Sequence, residues 1–284
     1  MNNRVIKILD MSAYRNFKGW VTETNNVNPV FVASFAHPLE NSLIDMYAKL
    51  YSFVGNNRSV FNEILGYLMA DALGLPQPKH ACIALLPTDK LKNNLYFKLV
   101  DPNLEKEIFS SEVFPVFCTS KINPSQTALQ YHGIAQAVAK ELAKWPRYSE
   151  ALALDNTICH IDRHMNNILR TGVNKYHLID NGILIDINGW SVNELNPNSY
   201  FINKLLDISK QLMSPKQYNS IKQEAVMACD DHYIALEKIT EELKFWINAL
   251  YGQHQSDYNK FLDFLDQRAN NATGLLTSRL QMLI

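Results

Sequence analysis

The sequence has little of what marks several protein classes. Its four cysteines, Cys82, Cys118, Cys159 and Cys229, lie far apart and form no Cys-x-x-Cys pair. That spacing argues against a disulfide framework or a zinc cluster and suits a reducing cytosol. No apolar run approaches the roughly 18 residues that a membrane-crossing helix needs. The first ten residues place Arg4 and Lys7 inside their only apolar patch, so no signal-peptide core is read there. Neither sign of charge dominates: 27 Lys+Arg stand against 28 Asp+Glu, a net charge of -1. This gives no strong nucleic-acid signal and no reason to expect an acidic membrane surface as partner. Glycine is sparse at 10 residues, and no Gly-x-Gly-x-x-Gly loop occurs. The expectation is a cytoplasmic protein without a membrane partner.

What the chain does have is a core. Hydrophobic residues make up 47% of its 284 positions, enough to exclude a mostly disordered chain and to fill one or two domains. Residues 4–9 alternate weakly and predict a first strand. Residues 19–24, an Asn-rich turn at 25–28 and residues 29–35 read as strand, turn, strand. Residues 40–54 favour helix. Ser59 is a candidate N-cap for a helix over 60–73 with apolar positions at 61, 64, 65, 68, 69 and 72, ending at Gly74 before Pro76 and Pro78. Strands are predicted at 81–86 and 95–100. Beyond residue 125 the pattern turns helical, at 126–145, 147–160, most of 200–250 and 256–283, with a β-like patch across 167–187. The expected division is a strand-rich region over 1–110, holding helix 60–73, and a helical region over 111–284.

The chemistry is concentrated in Cys159-His160-Ile161-Asp162-Arg163-His164-Met165-Asn166-Asn167, followed thirteen residues after Asn167 by Asp180 in Ile179-Asp180-Asn181-Gly182. Phosphoryl transfer from ATP needs a carboxylate to orient the attacking hydroxyl and accept its proton, and hard oxygen ligands to hold magnesium on the phosphates. An Asp and an Asn five residues apart on one loop, with a second Asp on an adjacent strand–turn, supply that set. Gly182 would let the backbone turn sharply beside the ligand.

Asp162-Arg163-His164-x-x-Asn167 followed by Asp180-x-Gly182 resembles the catalytic and metal-binding loops of the HipA-like kinases. The same Asp-Arg-His-x-x-Asn loop occurs in the phosphatidylinositol 3-kinase-related enzymes. Asn62-Glu63, opening a helix that ends Leu73-Gly74-Leu75-Pro76-x-Pro78, is similar to the corresponding segment of the small HipA-like domains. The resemblance spans roughly residues 15–185. It implies an α+β, protein-kinase-like bilobal fold, with a small antiparallel β lobe carrying one helix and a larger, mainly helical lobe. It also implies ATP with Mg2+ or Mn2+ as cofactors and a Ser/Thr hydroxyl, on a protein, as acceptor, in a bacterial or phage setting. By the same resemblance Asp162 is the catalytic base, His164 lies near the transferred phosphate, Asn167 and Asp180 hold the metal, and Glu63 partners the ATP-binding lysine.

The sequence departs from the family at that lysine. The matching segment, Val32-Ala33-Ser34-Phe35, places Ser34 where lysine is expected, and Lys18 or Lys98 could approach the phosphates instead. Other readings therefore stay open. One is a pseudokinase or an antitoxin-like protein that binds a regulatory partner without chemistry. Another is a small-molecule phosphotransferase, since His-x-Asp-x-x-x-x-Asn is similar to the aminoglycoside kinases. His160, Asp162 and His164 also alternate as transition-metal ligands would on a strand. Asp162 alone could be a turn cap, Glu63 a helix-dipole partner and Lys98 a solvent-facing strand residue. Phe245, Trp246, Phe261 and Phe264 read as core between helices.

Overall fold

A computed structural model describes residues 4–21, 28–55, 57–94 and 102–282. The chain is α+β and divides into two compact units, residues 1–60 with 78–122, and residues 61–77 with 123–284.

The first unit is built on six strands, β1 (Lys7–Leu9), β2 (Tyr14–Trp20), β3 (Val30–Ala36), β4 (Leu43–Lys49), β5 (Ala81–Pro87) and β6 (Val113–Ser120), in the order β1-β5-β6-β4-β3-β2. The sheet is mixed rather than wholly antiparallel as expected, because β1 returns to pair with β5 in parallel at one edge. Alternation sets its buried face. Phe31, Ala33 and Phe35 of β3, Met46 and Ala48 of β4, and Phe114, Val116 and Cys118 of β6 point into one core. Two short helices, α2 (Thr88–Asn94) and α3 (Pro102–Ser110), belong to this unit, and Leu91, Leu104 and Ile108 complete its core. The sequence predicts neither helix. The strand predicted at 95–100, with Lys98, and the turn at 25–27 lie outside the described residues.

Residues 43–49 form a strand where the sequence favours helix. Apolar residues at 43, 44, 46, 47 and 48 satisfy either period, and pairing with β3 on one side and β6 on the other decides the outcome. Strand β6, unpredicted from sequence, tolerates Pro115 because β4 pairs only with Phe117–Ser120, leaving no second ladder partner at the proline.

The second unit takes all but the first two residues of α1 (Ser59–Ala72), the helix that the sequence places with the strands. Its apolar face forms as expected, with Phe61, Ile64, Leu65, Leu68 and Met69 buried, and Gly74 ends the segment in a left-handed conformation (φ +64). At its start, Asn57 Oδ1 rather than a Ser59 cap accepts the Ser59 N–H at 3.0 Å. A three-stranded sheet is made by β7 (Gln126–Thr127), β8 (Ile168–Gly172) and β9 (Lys175–Leu178), and helices α4 (Ala128–His132), α5 (Ala135–Leu142) and α6 (Tyr148–Thr157) lie in the chain between β7 and β8. The helix predicted at 126–145 is broken at Gly133, left-handed at φ +72. Helices α7 (Lys204–Leu212), α8 (Pro215–Ala228), α9 (His232–Tyr251), α10 (Gln255–Asn270) and α11 (Ala272–Arg279) complete the unit.

One buried arginine holds the end of α6, the helix that leads into the Asp162 loop. Helix α10 sends Arg268 into the interior, where its guanidinium donates to Asn156 O and Thr157 O at the C-terminal end of α6, and to Pro197 O and Ser199 O. A cation at a helix C-terminus meets both the unpaired carbonyls and the helix dipole. Elsewhere in the unit, Trp190 stacks on Phe261 at 4.2 Å, with Phe61 and Tyr258 edge-on; Trp246, Phe261 and Phe264 are buried as predicted, whereas Phe245 is only half-buried. Among the described residues no helix is long and apolar enough to cross a membrane.

The end of α6 also carries a pH-sensitive contact. His232 at the start of α9 is buried and hydrogen-bonded through Nδ1 to Thr157 Oγ1 at 2.7 Å. Burial pushes its imidazole down from 6.5 to about 4. Below pH 6.5 the unfolded chain binds a proton there that the folded chain refuses, so this contribution is complete above 6.5 and shrinks as pH falls toward 4. The difference amounts to about 3 kcal/mol across the window. Urea unfolding of wild type and His232→Gln between pH 7.5 and 4 should show a shallower loss of stability in the variant.

Candidate functional site

The loop that follows α6 and the turn that follows β9 are held together by backbone bonds from buried side chains, all within the second unit. His160, fully buried, accepts the Asp162 N–H at Nδ1 (3.2 Å) and contacts Asp180 O through Nε2 at 2.9 Å. These two bonds define a neutral ring with its proton on Nε2, donated to Asp180 O. Burial holds the imidazole well below its ordinary value, in agreement with that neutral form.

Arg163 makes the second tie. Its guanidinium is completely buried and bridges Asp155 of α6 (3.3–3.4 Å), Ile179 O, Asp180 O (3.4 Å) and Asn181 Oδ1 (2.6 Å). Burial raises the Asp155 carboxyl to about 6, against the pull of the Arg163 charge. Asn167 adds a third bond. Its Nδ2 donates to Asp162 O at 2.7 Å, and its backbone O accepts from Ile179 N at 3.2 Å. With Nδ2 committed, Oδ1 is the amide atom left for a cation.

The result brings together Asp162, Asn167 and Asp180, the three residues that carry the sequence motif. Asp162 and Asp180 are half-buried residues, whereas Asn167 is buried. Asp180 adopts a left-handed backbone, φ +61, and the turn is made there rather than at Gly182, which has no positive φ. Cys159 (φ +59) and Ile185 (φ +67) are also left-handed, and Ile185 N donates to Cys159 O at 2.9 Å. Three of the five left-handed non-glycine positions among the described residues thus fall on these two loops. Strain of this kind persists only where surrounding bonds over-determine it.

Helix α1 closes the frame from its own face. Asn62 Nδ2 donates to Gly182 O (2.9 Å) while its Oδ1 accepts from Trp190 Nε1 (3.1 Å), and Glu63 Oε2 accepts the Asn181 N–H (3.0 Å). Glu63, expected from the resemblance to partner a lysine, is bonded to the backbone of the turn that carries Asp180. Gly66 is obligatory here: a Cβ would stand 2.4 Å from Asn181 Cβ and Cγ.

His164 stands beside Asp162, Nε2 to Oδ2 at 3.8 Å, and is half exposed. A further neighbour, Lys204, was not anticipated; its ammonium pairs with Asp162 Oδ1. Lys204 is the first residue of α7. The preceding Asn203, fully buried, caps the helix by accepting the Leu206 N–H at 2.9 Å and donates to Leu152 O at 2.9 Å. The only sequence signal was that asparagine, a good N-cap before an apolar helical stripe. Its pairing across 42 residues of chain follows from tertiary packing alone.

Ser34 and Lys18 lie in the first unit. Ser34 is buried in β3 and donates to Asp45 Oδ1 at 2.9 Å, directly across the ladder. Lys18, at a register shift in β2, donates to Asp45 Oδ2 at 2.7 Å. The Lys18 ammonium holds the Asp45 carboxyl below the usual carboxylate range. The alternating His160, Asp162 and His164 do not form a transition-metal site. His160 spends both ring nitrogens on backbone, and among the described residues no three His, Cys, Asp or Glu side chains are placed to hold a metal.

No protein-family profile and no curated protein matches the sequence.

The frame depends on Arg163. Arg163→Met should lower the unfolding free energy by about 4 kcal/mol by stranding the buried Asp155, and Asp155→Leu in the same chain should restore part of that loss. Urea unfolding of the single and double variants measures both.

Proposed function

We propose that the protein is a HipA-like, ATP-dependent kinase that transfers a γ-phosphate to a Ser or Thr hydroxyl of a protein. In this reading it has a protein-kinase-like fold, with the sheet-bearing unit as the small lobe and the helical unit as the large one. The observation that carries the proposal is the hydrogen-bonded frame in which His160 and Arg163 tie the backbone of Asp162 to that of Asp180, with Asn167 bonded to the same loop. A kinase needs these three side chains pre-positioned, because catalysis of phosphoryl transfer is mostly positioning and electrostatics.

The donor set suits magnesium. Asn167 Oδ1 and the Asp180 carboxylate are hard oxygens, and together with phosphate oxygens they match the ligands this ion prefers. Bound magnesium would neutralise charge developing on the phosphates. Asp162 orients the acceptor hydroxyl and takes its proton as the oxygen bonds to the γ-phosphorus and the bond to ADP breaks. Lys204, paired with Asp162, keeps a positive charge at the point where the transferred group carries negative charge. His164 offers a second polar group on the same side.

A second reading, nucleotide binding without transfer, is favoured by one observation. The position where the resemblance calls for lysine holds a buried serine bonded to Asp45, and the neighbouring Lys18 is committed to that same carboxylate.

Incubation with γ-labelled ATP and Mg2+ or Mn2+, alone and with bacterial lysate, separates the readings. The kinase reading expects labelled protein that disappears in Asp162→Ala and Asp180→Ala, with calorimetric Mg-ATP binding retained in Asp162→Ala and weakened in Asp180→Ala. Binding without transfer in the wild type would establish the second reading. Absence of Mg-ATP binding would overturn both.

A further inference from the structure

Beside Asp162 the helical unit contains a pocket of about 310 Å3. Its walls come from three places that the sequence does not link: the α4–α5 junction, the turn after Asp162, and one face of α7. Leu129, Ala135, Met165, Ile208 and Leu212 make it apolar. Its remaining wall is set by the candidate site itself, because His164 and Lys204 line the pocket and both approach the Asp162 carboxylate. Anything held in the pocket is therefore one side chain away from the proposed base.

Size and polarity restrict the occupant. Ligand sites of this kind begin at about 300 Å3, so the pocket is at the bottom of the range. That is small for a nucleotide and ample for one bulky side chain. A site built for a small polar alcohol would enclose it and answer its hydroxyls with donors and acceptors, since buried polar groups must be paired. This pocket is open to solvent on one side and mostly apolar. The apolar surface also continues beyond it. Ile134, adjacent to the lining residue Ala135, is 60% exposed, and Tyr131 on α4 is 50% exposed with the Arg170 guanidinium 3.7 Å above its ring. An apolar depression with exposed apolar residues beside it suits a polypeptide laid across the surface.

We propose that this pocket is the acceptor site, and that it takes a large aliphatic or aromatic side chain of a polypeptide next to the Ser or Thr whose hydroxyl faces Asp162. The proposal rests on the kinase reading for the chemistry and on the pocket for the specificity. Lys204 and His164 mark its catalytic end. The apolar residues of α4, α5 and α7 select the neighbouring residue, and Asp207 at the pocket edge is an exposed acid that disfavours an acidic flank.

The test uses the full chain and fluorescein-labelled peptides with a central Ser or Thr, one flanking position at a time set to Leu, Phe, Ala or Asp. Binding is read by fluorescence polarisation without nucleotide, and transfer is read with γ-labelled Mg-ATP. The expected result is that Leu or Phe at one flanking position improves binding and kcat/KM by roughly tenfold over Ala, the effect of one well-buried apolar side chain. Ala135→Trp, which fills the pocket, should abolish that preference while Mg-ATP binding and thermal unfolding stay as in the wild type. Ile208→Ala, which enlarges it, should shift the preference from Leu toward Phe. Transfer that is indifferent to flanking residues, or unchanged by Ala135→Trp, would overturn the pocket and leave the kinase reading standing. Peptide binding with the expected preference in a protein that binds no Mg-ATP would overturn the kinase reading and keep the pocket as a peptide site. Failure of every peptide to bind or accept phosphate, with transfer to a small alcohol, would overturn the proposal.

Discussion

The organisation of the helical unit around its candidate site depends on burying one guanidinium. Taking Arg163 out of water costs several kcal/mol, and its ion pair with Asp155 offsets that cost only where the remaining donors are also satisfied. They are: the fork of Arg163 reaches an α6 carboxylate, two backbone carbonyls of the strand–turn and the Asn181 amide oxygen. An apolar residue of the same volume would fill the space at lower cost but would bond none of these partners. The guanidinium is thus best understood as a rigid connector, fixing the distance between the loop that carries Asp162 and the turn that carries Asp180. Lysine could not substitute, because a single ammonium lacks the planar fork that reaches both α6 and the turn after β9.

The other side of the frame works by steric fit. Asn181 receives Arg163 on its side-chain oxygen and gives its backbone N–H to Glu63, and its side chain lies so close to α1 that only glycine fits at position 66. One residue between Asp180 and Gly182 is therefore fixed from two directions at once. That over-determination explains how Asp180 holds a left-handed backbone that an L-residue ordinarily avoids. Aspartate is among the side chains that adopt this conformation most readily, so the metal-binding reading and the backbone geometry favour the same residue type.

Much of this was legible in the sequence and some was not, for reasons that can be traced to particular residues. Helix α1 was readable because its apolar stripe, proline stop and Gly74 agree. That the Asp162–Asn167 loop and the Asp180 turn lie together was readable because one short strand pair separates the two motifs in sequence. Strand β4 was misread because Ile44, Met46, Tyr47 and Ala48 fit two periods, and only its neighbours in the sheet choose between them. The allegiance of α1 to the helical unit was hidden for a related reason. A stripe of buried residues shows that a helix packs, and it does not show against what. Lys204 was invisible because an ion pair between residues 162 and 204 leaves no local pattern.

The serine at position 34 follows from the same kind of local balance. Asp45 lies directly opposite it on β4, and a half-buried carboxylate is stabilised by partners. Ser34 provides a hydroxyl at 2.9 Å and Lys18 a cation at 2.7 Å from a neighbouring strand. The register shift around Lys18 breaks the regular alternation of β2 at the residue whose side chain reaches Asp45. The positive charge that the resemblance expects on β3 is therefore present in this sheet, displaced by one strand and held against an acid on β4. A cation held in that way is oriented within its own unit although its side chain stays half exposed. Were Lys18 removed, the Asp45 carboxylate would keep the Ser34 hydroxyl as a partner, so the two donors share one acid rather than replace each other.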